Sequence, residues 1–254
     1  MLAFIAIVCA SLVAVTAAPA NVTSLDKRAV IADGNSVRTG TLPDWQFKYR
    51  SAGYVAKGCP PGTGISICYQ YRLSSDPTKN LDTNSNGQTL QRNEFFSATK
   101  PADGKVREYK FKLKVDSPVA SASLFNRLPI VGLDTGEGVP NPGNPGMAVY
   151  LAIRGNTAGI YTRDNPGVPV QPIPLSQFAG RRTEHTWTHK SGPGGYIRII
   201  IRDDITKNIL VNYVKPGQFS SGTYRMRVGT RRYVSNAMPP VRVFWGDWSG
   251  KYIN

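Results

Sequence analysis

The sequence predicts an all-β protein, a sandwich or jelly roll of two antiparallel sheets closed over one hydrophobic core. Three observations carry that expectation. Short segments rich in β-branched and aromatic residues alternate apolar and polar side chains with a period of two. Gly, Pro, Asn or Asp fence each of them. No stretch sustains the apolar period of a long helix.

The chain opens with an apolar run, Leu2 to Ala18, too short and too weakly flanked to span a bilayer and ending in small residues. Residues 1–20 therefore read as a secretory signal peptide, its positive n-region reduced to the amino terminus. Residues 21–28 form a short propeptide ending in Lys27-Arg28, a pair that resembles the processing sites of secreted fungal proteins. The mature, extracellular chain is expected to be residues 29–254, one domain with no repeat and no linker. Removal of Cys9 leaves Cys59 and Cys68 flanking a Gly/Pro-rich turn, and two cysteines in a secreted chain read as a disulfide rather than a metal site.

Strand candidates follow in order: Ile67 to Leu73, Leu90 to Phe96, Tyr109 to Val115, Val149 to Arg154, Glu184 to His189, Tyr196 to Arg202, Tyr224 to Val228 and Val241 to Trp245. Pro140, Pro142 and Pro145 make Gly138 to Gly146 a long loop, and Asn165 to Pro174 reads as another. Sheets of this kind often curve, and a concave groove across strands suits an extended polymer better than a small metabolite.

A formal net charge of +15 points to an anionic partner. Secretion disfavours nucleic acid and no nucleic-acid motif is present, so anionic polysaccharide leads, bound by a monomer away from any membrane.

The segment Asp82 to Phe96 supports two chemistries. Asp82-x-Asn84-x-Asn86-Gly87 matches the first half of a calcium loop, but the twelfth position is Asn93 instead of Glu and no helix flanks it. An Asn/Gly turn is the plainer expectation; no cofactor is required, and a structural calcium is left open. Beyond the turn, alternation puts Leu90, Arg92, Glu94 and Phe96 on one face and Gln91, Asn93 and Phe95 on the other. Arg92 would grip a substrate carboxylate while Glu94 orients it, or the two form an exposed ion pair. Lys110, Lys112 and Lys114 share one face of their strand, as do Arg225, Arg227 and Arg231 of theirs; lining one groove, they would make an electropositive track. Both histidines lie in Glu184 to His189, where His185, Trp187 and His189 share a face, as a sugar-stacking Trp between two polar groups or as a plain surface strand. A pair four residues apart on a strand spans about 13 Å and cannot share a metal.

Gly87 to Phe95, with Gln91-Arg92-Asn93-Glu94 at its centre, resembles the Arg-x-Glu-Leu strand of the jelly-roll polysaccharide lyases, the alginate and glucuronan lyases of concanavalin A-like fold. It is also similar to a strand of fungal jelly-roll β-glucanases. Tyr224 to Arg232 resembles the lyases' terminal Tyr-Phe-Lys-x-Gly-x-Tyr strand, with Arg225 and Arg231 at its two Tyr positions. The lyases' Gln-x-His strand has no counterpart around Phe125 to Leu133, where Asn126 or Arg127 would take over the carboxylate. The resemblance implies β-elimination on a uronate polymer. Together with the shared faces above, that reading gives catalysis to Arg92, with Tyr224 or His185 moving protons, and substrate binding to Glu94, Gln91, Lys110, Lys112, Asn126, Arg127, Trp187, His189, Arg225 and Arg227. The alternatives are a lectin-like jelly roll without catalysis and a β-glucanase with Glu94 as one carboxyl and Glu108, Asp134, Glu137 or Asp247 as the other.

Overall fold

The computed structural model describes residues 29–98, 104–116, 127–134, 147–217, 225–236 and 238–253. Two large sheets are stacked. One has eight strands in the order β1 (Ala29–Asp33), β4 (Tyr54–Lys57), β5 (Cys68–Leu73), β17 (Val241–Ile253), β8 (Val106–Val115), β13 (Arg182–Lys190), β14 (Tyr196–Asp203) and β15 (Ile209–Pro216). The other runs β12 (Gln171–Pro174), β11 (Thr157–Thr162), β10 (Met147–Arg154), β9 (Leu128–Asp134), β16 (Arg225–Tyr233), β7 (Thr89–Ser97), β3 (Phe47–Ser51) and β2 (Arg38–Thr41), with β6 (Leu81–Thr83) paired to β7. The pairings are antiparallel throughout the described residues. One short helix, α1 (Leu175–Phe178), follows β12. This is the jelly-roll sandwich that the strand pattern predicts.

Period-two alternation builds the core. From β8, Tyr109, Phe111, Leu113 and Val115 point inward; from β14, Ile197, Ile199 and Ile201; from β10, Val149, Leu151 and Ile153. Each buried aliphatic or aromatic side chain contributes roughly 1.5–3 kcal/mol, which lets two sheets stack without a helical layer. Met147, Tyr150, Ala152 and Tyr161 form a second, smaller apolar cluster on the other face of the nine-stranded sheet.

The expected loop at Asn165 to Pro174 is partly a strand. β12 carries Pro172 and Pro174 yet pairs with β11, Gly159 opposite Pro172 and Thr157 opposite Pro174. It ends the sheet, and an edge strand tolerates the missing N–H groups. The loop expected at Gly138 to Gly146 lies outside the described residues.

Cys59 and Cys68 are bonded, Cα to Cα 5.7 Å, and tie β5 to the turn before it. Reduction should lower stability by roughly 2–3 kcal/mol, because the bridge closes only a short loop. The fall in urea midpoint on adding a thiol measures this, and a thiol-reduced chain that no longer folds would show that the core is weaker than its two sheets imply.

Candidate functional site

The site lies on the face of the nine-stranded sheet turned away from the core, where β3, β7 and β16 lie side by side. Phe95, Met226 and Val228 enter the core, so the alternate residues of β7 and β16 must point the other way. Register sets Arg231 opposite Arg92, Gly229 opposite Glu94 and Arg227 opposite Phe96; on the other side of β7, Arg50 lies opposite Glu94 and Lys48 opposite Phe96. Strands distant in sequence thus bring Lys48, Arg50, Arg92, Glu94, Arg225, Arg227 and Arg231 onto one surface.

Two carboxylates organise it. Asp82, from β6, accepts from Arg50 Nε and Nη2 at 2.8 and 2.6 Å and from Arg92 Nε at 2.8 Å. Burial would raise its pKa, but the bonds from Arg50 and Arg92 prevail and hold it at about 2. Arg92 Nη2 also donates to the carbonyl of Thr83 at 3.1 Å, and its Nη1 lies 3.4 Å from Glu94 Oε2. Glu94 pairs further with Arg227, and Arg231 Nε stands 3.9 Å away. Burial, with Arg231 and Arg92 adding like-charge repulsion, pushes the Arg227 guanidinium well below its usual pKa. The patch is graded: the Arg227 and Glu94 side chains are 7% and 4% exposed, whereas Arg231 and Arg50 are 24% and 46% exposed. Four guanidiniums surround two carboxylates, so the surface is net positive and its outer arginines reach solvent.

Gly229 is required here. Its φ is +121°, and a Cβ would meet the carbonyl oxygen of Asn93 at 2.1 Å. Gly229→Val should unfold β16 from β7, read as loss of the native near-UV circular dichroism signal; a native-like spectrum would show that the strand can shift.

The turn after β6 uses its oxygens internally. Asn84 Oδ1 accepts from the amides of Asn86 and Gln88 at 3.0 and 2.9 Å, while Asp82 is taken by two guanidiniums. The arrangement is an Asn/Gly hairpin turn.

Several residues expected at the site lie elsewhere. Gln91 points inward, donating to the carbonyls of Asp76 and Lys79 and accepting from Arg232 Nε, because its parity is that of Phe95. His185, Trp187 and His189 do share a face of β13, but that face is the core. The His185 ring stacks on Phe111 at 4.7 Å and its Nε2 lies 2.8 Å from Thr183 Oγ1; burial depresses its pKa to about 3, and that of His189 to about 4. Trp187 is fully buried and stacks on no sugar. Lys110 and Lys112 leave β8 on the outer surface of the eight-stranded sheet, beside Glu108 and beside Asp247 and Asp204, so they do not join the arginines. Arg127 immediately precedes β9 and donates to the Tyr150 hydroxyl at 2.6 Å beside the stacked Tyr150–Tyr161 pair. Tyr224 and Asn126 lie outside the described residues.

Arg50 and Lys48 were missed, although Phe47-Lys48-Tyr49-Arg50-Ser51 has the same alternation as β7 and signals a charged face. On β9, Gly132 stands opposite Arg227, and a Cβ there would come within 2.1 Å of Met147 Sδ, so this position offers neither an amide nor an imidazole.

No family model matches the sequence, and no curated protein matches it. Solved structures do. An endo-β-1,4-glucuronan lyase from the fungus Trichoderma reesei is 13% identical with a TM-score of 0.55, covering 86% of this chain and 95% of that one. The alginate lyase from Corynebacterium sp. is 11% identical with a TM-score of 0.54, covering 85% and 92%. A GH131 β-glucanase catalytic domain from Podospora anserina is 15% identical with a TM-score of 0.49, covering 79% of each chain. At these identities the likeness is one of fold, and it matches the resemblance to jelly-roll carbohydrate-active proteins carried by the sequence.

Proposed function

We propose that the protein is a secreted, monomeric, polysaccharide-lyase-like jelly roll that lays an anionic, uronate-containing polysaccharide along the arginine-lined face of the nine-stranded sheet and cleaves it by β-elimination. The supporting observation is the four-to-two excess of guanidiniums over carboxylates contributed by β3, β6, β7 and β16. Arginine forks match carboxylates in shape and charge, and the solvent-reaching Arg231 and Arg50 are the first that a polymer meets.

Elimination requires three acts: neutralising the C5 carboxylate, removing the adjacent proton and protonating the oxygen leaving C4. Arg231 and Arg50, which reach solvent, serve the first, with Arg92 held behind them by Asp82, Thr83 and Glu94. Tyrosine serves the others: Tyr233 closes β16 with its hydroxyl 3.2 Å from Gln88 Oε1, and Tyr224 immediately precedes that strand. No external cofactor enters the scheme. Hydrolysis fits less well, because it needs a carboxyl that donates a proton. Asp82 is held ionised by two arginines, and Glu94 is engaged by three.

Binding without cleavage is the second reading, favoured by the bare Gly132 on β9 and by two histidines sealed in the core. Incubation of the mature chain with glucuronan, alginate and pectate separates the two. Absorbance of the 4,5-unsaturated product should rise, and Tyr233→Phe should slow it by about a hundredfold or more. Retarded migration in a polyuronate gel without product leaves binding alone. Neither product nor retardation ends the proposal.

A further inference from the structure

A cavity lies at one end of the sandwich, between the sheets and away from the arginine face. Its volume is about 290 Å³, and Asp44, Trp45, Gln46, Ser97, Arg107 and Trp248 contribute to its walls. Ser97 ends β7 three residues beyond Glu94, about 10 Å along the strand, and its parity is inward.

Arg107 is only 8% exposed, yet no carboxylate among the described residues pairs with it, and its Nε has no hydrogen-bond partner. The rings of Tyr109 and Tyr252 flank the guanidinium at 5.5 and 4.9 Å, an arrangement that holds a cation in place without neutralising it. A buried, unneutralised cation at a cavity wall is costly unless an anion visits it.

The aromatic walls are fixed in advance. β17 bulges between Gly246 and Ser249, where Asp247 adopts a φ of +49°. The Asp247 carboxylate stabilises that backbone by accepting from the amides of Ser66 and Ile67, both at 2.9 Å. The bulge sets Trp248 edge-on to Phe47 at 4.7 Å and stacked on Phe111 at 5.6 Å, while Trp45 packs on Trp245 at 4.9 Å. A strained residue pinned beside a cavity is a feature of binding sites more than of plain scaffold. Asp44 accepts from the Tyr69 hydroxyl at 2.5 Å and from Lys57 at 2.9 Å, so its carboxylate is held in place at the cavity wall.

We infer that this cavity binds a single hexuronate ring, its carboxylate on Arg107, its C–H face on an indole and its hydroxyls on Asp44, Gln46 and Ser97. The volume, near the lower end of small-ligand pockets, matches one ring. The charge selects an acidic sugar over a neutral one, and the aromatic walls select a sugar over a small inorganic anion.

Calorimetric titration of the mature protein with D-glucuronate tests this, with D-glucose and inorganic phosphate as controls. Glucuronate should bind saturably, and both controls at least about tenfold more weakly, the effect of one lost charge-assisted contact or of the lost ring contact. Arg107→Gln should weaken glucuronate by about tenfold or more. Ser249→Phe, an exposed cavity-lining position, should block the sugar with Arg107 and the fold intact. Migration in polyuronate gels should stay unchanged in both variants, so failure here and failure of the arginine face are read on separate assays. No saturable heat, wild-type affinity in Ser249→Phe, or equal affinity for glucose or phosphate each overturns the inference. So does loss of binding in Arg231→Ala with Ser249→Phe unaffected, which would place the sugar on the other face.

Discussion

Glu94→Gln should destabilise the protein by about 3–5 kcal/mol, the loss seen when one partner of a buried ion pair is removed. Glu94 is 3% exposed and stands among Arg92, Arg227 and Arg231. Its negative charge is what allows three guanidiniums to share so small a space; an amide of the same shape leaves their mutual repulsion and the desolvation of Arg227 in place. The urea midpoint should fall with an unchanged slope, since the area exposed on unfolding hardly differs. Polyuronate should restore part of the loss, because its carboxylates can neutralise the guanidiniums that reach solvent, Arg231 and Arg50. A loss under about 1 kcal/mol would mean that Glu94 behaves as a surface charge and that the patch is wetter than its geometry indicates.

Acid should destabilise the native state beginning near pH 6.5, above the range where carboxylates titrate. The two histidines set this. Unfolded, each ring takes up a proton near pH 6.5; folded, burial holds His189 to about pH 4 and His185 to about pH 3. Between those limits the unfolded chain binds more protons, so the free energy of unfolding falls as pH falls, by about 1.4 kcal/mol per pH unit for each ring. Asp82, depressed from 3.8 to about 2, extends the loss in the same direction through the window between those values. Urea unfolding at pH 7.5 and pH 5 should therefore differ by several kcal/mol, and His185→Phe should reduce that difference by about half. Equal stability at the two pH values would mean that the histidines reach water, and with it that β13 does not face the core.

The sequence made one half of the site legible and concealed the other for a physical reason. Alternation in β7 places Arg92 and Glu94 on one face and Gln91 on the other, and the same parity groups Arg225, Arg227 and Arg231. Parity says which residues share a face but not which face is wet. On β13 the grouping of His185, Trp187 and His189 is right and the side is wrong; Glu184, Thr186 and Lys190, on the alternate positions, are the polar set that marks the outside. A sandwich also has two outer surfaces. Lys110 and Lys112 are outward, as their alternation with Tyr109 and Phe111 implies, but they belong to the other sheet. Sheet membership comes from long-range pairing, here β3 beside β7 beside β16 beside β9, and no local pattern encodes that order. Asp82 is the plainest case: read in line it begins a calcium loop, whereas in space it is the counter-ion of Arg50, thirty-two residues earlier. The disulfide was legible because its partners are close in sequence.

Both outer surfaces carry cations, yet the polymer should choose the arginine surface. Migration of the mature protein through gels loaded with glucuronan, at low and high salt, tests it with two double variants. Arg50→Ala/Arg231→Ala should abolish retardation, Lys110→Ala/Lys112→Ala should keep it, and salt should weaken it in the wild type as screening predicts. Retardation lost in the lysine variant and kept in the arginine variant would place the polymer on the eight-stranded sheet instead.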